Sequence, residues 1–465
     1  MKLQLALLAL GFACAALAAP TIDPNIPKSL SEKDSVTVFV TFKNDQTASI
    51  RDKIKHQSFL SRTSRIQSLY NALKSHADET QKDVLAFLNQ YQSANSIWVH
   101  QLWVTNKIIV KNADSSLIAQ LSTMSEIDEI IEEKIFPMNR PIESTETAPR
   151  EGEQWGVALI DAPSVWEEGN RGNGSVVANI DTGVRGTHEA LRDGLRPINN
   201  WFDPSLRTRV PTDDDGHGTH TMGTICGRTK GIGVAPGAQW IACRGCPSSC
   251  PQSALEACGQ FIVCPTDVDG NNPRCDLAPN VVSNSWSGGQ DDPWYDPYID
   301  AWLTAGIGAT FSAGNTGPGC HTVRSPGDSI VGPISVGSTT VNDEVSSFSS
   351  VGPSIRFRRF KPDISAPGTN VYSSVQDSDT AYDTYSGTSM ACPHVAGLSA
   401  LLYSVKSDLS INQVRDLLIA GAQQTKSTGG TCGDINDTQF PNYHVGHGRI
   451  SARVSIDELK RMIGG

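Results

Sequence analysis

Residues 385–395 have the sequence Tyr-Ser-Gly-Thr-Ser-Met-Ala-Cys-Pro-His-Val, and Ser389 lies near the middle of this stretch. The small residues after Ser389 predict that a helix begins here. A hydroxyl group at a helix N-terminus lies beside unpaired backbone N–H groups and the positive end of the helix dipole. Such surroundings favour a nucleophilic oxygen and the anion formed when it attacks a carbonyl group. A serine at this position is also a common N-cap residue, so this stretch alone leaves both interpretations open.

Three other motifs precede this serine in the chain. An apolar run ends in Asp181, which predicts a buried strand with a carboxylate at its C-terminal end, where α/β sheets carry their functional groups. His217 lies between two glycines, before a run of small residues that predicts a helix. Asn315 lies in a glycine turn after an apolar strand predicted at residues 307–311. Each residue alone is more typical of a turn or cap, so the interpretation depends on the whole set.

Together these residues provide the groups that an acyl-transfer enzyme needs. Ser389 would attack the carbonyl carbon, and His217 would accept its proton and return it to the leaving group. Asp181 would fix the imidazole tautomer and stabilise the cation. The side-chain amide of Asn315 and the backbone N–H of Ser389 would hold the oxyanion. The order Asp, His, Ser differs from that of the α/β-hydrolases, and Ala391 stands where their G-x-S-x-G pattern requires the last glycine.

These motifs, in this order, resemble those of the subtilisin (subtilase) family, and the chain is most similar to the bacillopeptidase F-like members of that family. The resemblance covers about residues 150–455 and includes residues 155–163, 233–241, 278–286, 363–368 and 446–450. It implies a serine endopeptidase that acts on polypeptides and needs no cofactor for its chemistry. Alternation of strands and helices predicts a three-layer α/β fold with a mostly parallel sheet. An inactive homologue that only binds polypeptides is the alternative from another class, and an exopeptidase or specific processing enzyme is a further one.

The resemblance also implies where a substrate binds. An extended polypeptide would add as a strand beside residues 285–288. Trp286 would offer apolar surface to a distal substrate side chain, or would simply pack in the core. Ser287 stands where the family often has glycine, so the sequence does not predict the size of the residue before the scissile bond. The expected substrate-binding residues are Ser285, Trp286, Ser287, Gly288, Ala313 and Gly314.

Residues 19–137 show strand and helix patterns of their own. Their order predicts a β-α-β-β-α-β domain of the ferredoxin-like type. The domain resembles subtilisin propeptides, which implies a folding chaperone and inhibitor; an ordinary accessory domain is the alternative. Strands are predicted at 36–42, 98–104, 107–110 and 129–135, and helices around 66–73, 84–91 and 115–124.

The remaining domain boundaries follow from composition. Residues 1–18 have a lysine, an apolar run and small residues at their end, which predicts a secretory signal peptide, with a membrane anchor as the alternative. Residues 138–153 are polar and include proline, so we expect a linker that the enzyme itself cleaves. The catalytic domain is predicted to span residues 154–465.

The net charge of −11 argues against a nucleic-acid partner, because no basic surface would attract phosphate. No further apolar run is long enough to span a bilayer. We expect a protein that is secreted or held in the lumen of a vacuole or lysosome. We also expect it to be a monomer. Asn173 and Asn436 begin N-glycosylation sequences for a eukaryotic host. The acidic residues Asp213, Asp214 and Asp215 predict either a solvated loop or a structural calcium site.

Ten of the eleven cysteines lie beyond residue 220. In an oxidising compartment they predict up to four disulfides, whose connectivity the sequence leaves open. The spacing within residues 243–250 leaves zinc as an alternative. Cys226 and Cys392 fall on predicted helices and are expected to be buried thiols. The other eight are Cys243, Cys246, Cys250, Cys258, Cys264, Cys275, Cys320 and Cys432.

Overall fold

The computed structural model describes residues 19–138, 140–143, 152–355 and 359–464. The predicted signal peptide and most of the predicted cleavage zone lie outside these residues. The chain forms two compact units. The first contains residues up to Asp45 together with Ala77–Gln101 and Asn106–Glu133. The second contains Gln46–His76, Leu102–Thr105 and the chain from Lys134 onward.

The elements up to residue 132 form a sheet with helices. In chain order they are β1 (Thr21–Ile22), α1 (Asn25–Glu32), β2 (Val36–Phe42), α2 (Thr47–Lys55), α3 (Arg62–Thr80), α4 (Lys82–Gln92), β3 (Trp98–Leu102), β4 (Lys107–Ala113), α5 (Ser115–Leu121) and β5 (Ile127–Glu132). The strand order is β1-β5-β2-β4-β3, with β2 antiparallel to both β4 and β5. Without the short β1, this is the ferredoxin-like arrangement that the sequence predicts. Val38, Val40, Leu88 and Ile130 lie in its core.

Helix α2 and most of α3 belong to the second unit, which also contains the elements after β5. In chain order they are β6 (Ile135–Phe136), β7 (Ile142–Glu143), α6 (Trp155–Leu159), α7 (Ala162–Glu167), β8 (Val176–Asp181), β9 (Trp201–Phe202), α8 (His217–Cys226), β10 (Gln239–Arg244), β11 (Cys250–Pro251), α9 (Gln252–Val263), β12 (Val281–Asn284), α10 (Asp296–Thr304), β13 (Gly308–Ser312), β14 (Ile334–Thr339), β15 (Ile364–Pro367), β16 (Val371–Ser374), β17 (Tyr382–Ser386), α11 (Thr388–Val405), α12 (Ile411–Ala420), β18 (Thr431–Cys432), β19 (Ile435–Asn436) and α13 (Ala452–Gly464). Short 3₁₀ helices lie at Arg192–Gly194, Cys275–Leu277 and Pro293–Tyr295.

A parallel sheet of seven strands forms the centre of the second unit, in the order β15-β14-β13-β12-β8-β10-β9. Its inner strands are continuously buried and lack polar alternation, which is typical of parallel sheets covered on both faces. Helices α8 and α11 pack against each other and the sheet, as do α9 and α10. This architecture confirms the predicted three-layer α/β fold. Among the described residues, no helix combines the length and the apolar character needed to cross a membrane.

Four disulfides connect the eight described cysteines that lie outside α8 and α11. The pairs are Cys243–Cys258, Cys246–Cys250, Cys264–Cys275 and Cys320–Cys432. Because the cysteines at 243–250 are oxidised, they cannot serve as the thiolate ligands of the alternative zinc site. Cys226 and Cys392 are buried free thiols, as predicted. Burial raises the pKa of Cys226 to about 12, so this thiol is unreactive near neutral pH.

Candidate active site

Asp181 and His217 form a buried hydrogen-bonded pair. Asp181 ends β8 in the middle of the parallel sheet, and His217 is the first residue of α8. Nδ1 of His217 lies 2.7 Å from Oδ1 of Asp181. The carboxylate also accepts hydrogen bonds from the backbone N–H of Thr182 at 2.8 Å and the hydroxyl of Thr221 at 3.3 Å. A carboxylate at Nδ1 holds the proton there and leaves Nε2 as the proton acceptor.

Two glycines allow α8 to begin so close to the end of β8. A Cβ atom on Gly218 would lie only 2.0 Å from the carbonyl oxygen of Gly183. Gly183 has a φ of +119°, and a Cβ there would lie 2.0 Å from the carbonyl oxygen of Thr212. Any larger residue at either position would push the helix away from the strand. These glycines therefore place the imidazole of His217 against Asp181.

Ser389 is the second residue of α11 and is buried. Its hydroxyl donates a hydrogen bond to the carbonyl oxygen of Ser285 at 3.1 Å. The hydroxyl of Ser285 donates in return to the carbonyl oxygen of Ser389 at 2.9 Å. These reciprocal bonds fasten the start of α11 to the loop after β12. Within the described part of the chain, Nε2 of His217 is buried without a hydrogen-bond partner. Asp181 and His217 are therefore hydrogen-bonded in the structure, whereas Ser389 and His217 are not.

The side chain of Asn315 is held by Thr388, the residue before Ser389. Its Oδ1 atom accepts hydrogen bonds from the backbone N–H and the hydroxyl of Thr388, both at 2.8 Å. Because the oxygen is occupied, Nδ2 is the end of the amide that remains to donate to another group. A Cβ on Gly387 would lie 3.3 Å from this Nδ2 and would crowd it. The amide N–H groups of Asn315 and the start of α11 thus border the same space.

We expect Asn315→Ala to lower kcat by about 10²–10³ with little change in KM, the effect of removing one oxyanion donor in subtilisin. Because alanine also removes the acceptor for Thr388, Asn315→Asp is the informative second variant. Aspartate keeps an acceptor oxygen but has no amide N–H. Steady-state kinetics on a peptide p-nitroanilide measure both changes, with exposed Asn412→Ala as the control. Recovery of kcat in Asn315→Asp would show that Asn315 only positions Thr388.

The pKa of His217 depends on opposing effects. Burial lowers it, whereas the charge of Asp181 and its hydrogen bond raise it. The charge and hydrogen bond of Asp181 outweigh the effect of burial, so the pKa of His217 is raised above its ordinary value of 6.5. Since the base must be neutral to accept a proton, activity should fall as the pH drops through this raised pKa. A profile of kcat/KM against pH should therefore have its acidic midpoint above pH 6.5, and a midpoint near pH 4 would indicate a different base.

Asp213 anchors the start of α8 and does not form a solvated loop. Its carboxylate is buried and accepts five hydrogen bonds of 2.6–3.0 Å. The sequence-based interpretation of a solvated acidic loop is therefore wrong for this residue. Asp214 instead pairs with Arg244 at 2.5 Å. Within the described residues, no group of three or more His, Cys, Asp or Glu side chains is arranged to hold a metal ion. The five donors to Asp213 are the backbone N–H groups of Asp215, Gly216 and Thr219 and the hydroxyls of Thr182 and Thr219.

Trp286 packs within an aromatic cluster. Its ring centroid lies 5.1 Å from that of Tyr295 and 5.4 Å from that of Phe311, and only 3% of the residue is exposed. These contacts match the core-packing alternative for Trp286. The neighbouring Trp294 contacts Tyr295 in this cluster and also stacks on Phe136, with ring centroids 4.8 Å apart in both pairs.

An extended segment of the same unit lies beside several of these residues. Ile135 and Phe136 form β6, which pairs antiparallel with β11. Phe136 also packs over Gly288, where an added Cβ would lie 3.0 Å from its ring. Farther along, Arg140 pairs with Asp215, and β7 pairs antiparallel with β17, the strand before Ser389. The sequence did not reveal the edge strand β11, because two residues carry no periodic pattern.

The chain is similar in sequence to known proteins. The model of the subtilase family (peptidase S8) matches residues 172–448. Bacillopeptidase F of Bacillus subtilis (strain 168) is 34% identical over 486 aligned positions, which cover 95% of this chain and 33% of that protein. Alkaline serine exoprotease A of Vibrio alginolyticus is 30% identical, over 70% of this chain and 57% of its own length. Subtilisin DY of Bacillus licheniformis is 31% identical, over 58% of this chain and 90% of its own length. The chain thus spans one third of bacillopeptidase F and just over half of the exoprotease.

Proposed function

The chain belongs to the subtilase family, and from this premise we propose that it is a subtilisin-like serine endopeptidase that uses Asp181, His217 and Ser389. The observation that best supports this proposal is the buried 2.7 Å contact between Asp181 and His217, beside the helix that carries Ser389. Polypeptides are the proposed substrates. No cofactor takes part in the proposed chemistry, although a structural calcium ion remains part of the proposal.

Catalysis begins when the hydroxyl of Ser389 turns from Ser285 to Nε2 of His217. Ser389 then attacks the carbonyl carbon while its proton passes to His217, and Asp181 stabilises the resulting cation. The amide of Asn315 and the backbone N–H of Ser389 donate to the oxyanion. His217 returns the proton to the leaving amine, which breaks the peptide bond and leaves an acyl group on Ser389. Water releases that group in a second step with the same proton transfers.

Labelling with a fluorophosphonate tests whether the enzyme is active. Peptide mapping should place the label on Ser389, and His217→Ala should prevent the labelling. An intact protein that resists both the label and casein hydrolysis would support the inactive binding homologue instead.

A related protein named an exoprotease gives a reason to test exopeptidase activity as well. Mass spectrometry of a casein digest should show cuts inside the polypeptide. Removal of residues only from chain ends would favour the exopeptidase.

We also propose that the chain is a zymogen, with residues 19–137 as its propeptide. The contacts of Phe136 with Gly288, and of Arg140 with Asp215, support this idea. The backbone N–H of His217 donates to Asp215 at 3.4 Å, so Arg140 lies near the candidate base. The cut should therefore fall between residues 136 and 140, at the start of the predicted zone. Protein made in a protease-free translation system should acquire a new N-terminus there, and a cut beyond residue 144 would contradict this location.

Residues 46–76 provide further support for the propeptide, because they bind the catalytic domain through basic side chains. Arg51 forms an ion pair with Asp300 on α10 at 2.9 Å. Arg62 donates hydrogen bonds to the carbonyl oxygens of Ala278, Pro279 and Gly306. Burial lowers the pKa of Arg62 to about 10, which still leaves it charged at neutral pH. This segment would remain bound after a cut near residue 138.

Secretion is part of the proposal. Four disulfides suit an oxidising compartment, and the apolar residues 1–18 would serve as the signal peptide. Expression in a secreting host should release the protein without these residues. Retention of residues 1–18 in a membrane fraction would favour the anchor alternative.

A further inference from the structure

The disulfide Cys246–Cys250 lies between the candidate catalytic aspartate and the edge strand β11. Asp181 ends β8, and its carbonyl oxygen accepts hydrogen bonds from the backbone N–H groups of Gly245 and Cys246, both at 3.0 Å. The disulfide then connects Cys246 to Cys250, the first residue of β11. A short covalent and hydrogen-bonded path therefore links the end of β8 to this edge.

Strand β11 pairs with an extended segment of the same chain. Cys250 is opposite Phe136, and Pro251 is opposite Ile135. The backbone N–H of Gln252 donates to the carbonyl oxygen of Lys134 at 2.9 Å. If the proposed function is correct, a substrate would place its backbone here on the N-terminal side of its scissile bond. The edge strand thus sets the direction of the extended backbone that pairs with it.

Apolar packing does little to hold the loop that leads into this strand. Residues 247–249 are Pro, Ser and Ser, and all three are at least partly exposed. The two cysteines, by contrast, are at most 1% exposed. A strand of two residues has little stability of its own, and closing a loop covalently reduces the conformational freedom of its ends. The disulfide therefore fixes the start of β11 relative to Asp181, while α9, which follows β11 directly, packs against β8 and β10.

We propose that the Cys246–Cys250 disulfide is a positioning element for substrate, which holds β11 where a long peptide pairs with it. This inference rests on the proposed peptidase function. It concerns only substrates that reach β11, because a single residue before the scissile bond would not extend to that strand. The disulfide should therefore determine how much kcat/KM rises when the substrate is longer.

The test compares peptide p-nitroanilides that share one C-terminal residue and contain one to five residues. In the wild-type protein, kcat/KM should rise with length. In the double variant Cys246→Ser, Cys250→Ser, the ratio of long-peptide to short-peptide kcat/KM should fall by about tenfold, mainly through KM. That loss corresponds to about 1.4 kcal/mol, or roughly one to two backbone hydrogen bonds. Titration of the active sites with a fluorophosphonate measures the concentration of folded enzyme, so that each rate is expressed per active site.

The control is the double variant Cys264→Ser, Cys275→Ser, which removes a disulfide at the other end of α9 from β11. It should keep the wild-type gain with length even if its melting temperature falls. If kcat/KM of the Cys246→Ser, Cys250→Ser variant rises with peptide length as much as in the wild-type protein, the proposal is overturned. A second variant, Cys246→Val, Cys250→Ala, is made as well. If neither variant yields titratable enzyme while the control folds, the disulfide has a purely structural role and the proposal is overturned. A wild-type protein that cleaves none of the peptides would instead refute the peptidase function.

Discussion

Ser389→Ala should reduce turnover by about 10⁶, the loss found when this serine is removed from a subtilisin. The variant should still fold, because the change removes one hydroxyl group and one hydrogen bond, to Ser285. A lost hydrogen bond of this kind costs about 1 kcal/mol, and a somewhat larger cost is expected if the buried carbonyl oxygen stays unpaired. Casein and p-nitroanilide assays measure turnover, and thermal unfolding measures the fold.

The same variant tests self-processing. Ser389→Ala made in a protease-free translation system should stay uncut near residue 138, while the wild-type chain shortens. Ser399→Ala is the matched control, because Ser399 is buried on the same helix and, among the described residues, its hydroxyl bonds only to the carbonyl oxygen of Val395. The control should keep turnover and cleavage. Full activity in Ser389→Ala would falsify the assignment of the nucleophile, and cleavage at the same bond would mean that another protease activates the chain.

Asp181→Asn should lower kcat by about 10⁴ while leaving the size and packing of the side chain nearly unchanged. An amide can turn its NH₂ group toward Nδ1 of His217, which would then act as acceptor and carry its proton on Nε2. A protonated Nε2 cannot accept the proton of Ser389. The variant also removes the negative charge that raises the pKa of His217, so any residual activity should persist to lower pH. Exposed Asp416→Asn on α12 is the control. Retention of more than about a tenth of wild-type kcat would exclude the proposed role.

The sequence predicted the parts of the fold that have a local pattern. The apolar runs before Asp181 and Asn315 predicted buried strands, which β8 and β13 confirm. Runs of small residues after His217 and Ser389 predicted α8 and α11 in the same way. In the N-terminal domain, alternation over residues 36–42 predicted β2 with its observed bounds. Helices α1 and α2 were missed, because they are only 8 and 9 residues long and contain few apolar residues.

Other features depend on contacts between distant parts of the chain. The five donors to Asp213 are set by how α8 meets β8, so three adjacent aspartates could not reveal them. The partners of the cysteines could not be deduced either, because spacing alone allows many pairings. Strand β11 is recognised through its pairing with β6, a segment far from it in the sequence. The hydrogen bond between Ser389 and Ser285 likewise joins residues more than a hundred positions apart.

The partly buried guanidinium of Arg62 has a consequence for the time course of activation. Its bonds to three backbone carbonyls do not involve the segment near residue 138, so a single cut there would leave the two fragments associated. Free enzyme would then accumulate only when one molecule digests the fragment held by another. Such a reaction is second order and accelerates as it proceeds. Activation should therefore show a lag that shortens at higher protein concentration, whereas a purely intramolecular release would give the same half-time at every concentration.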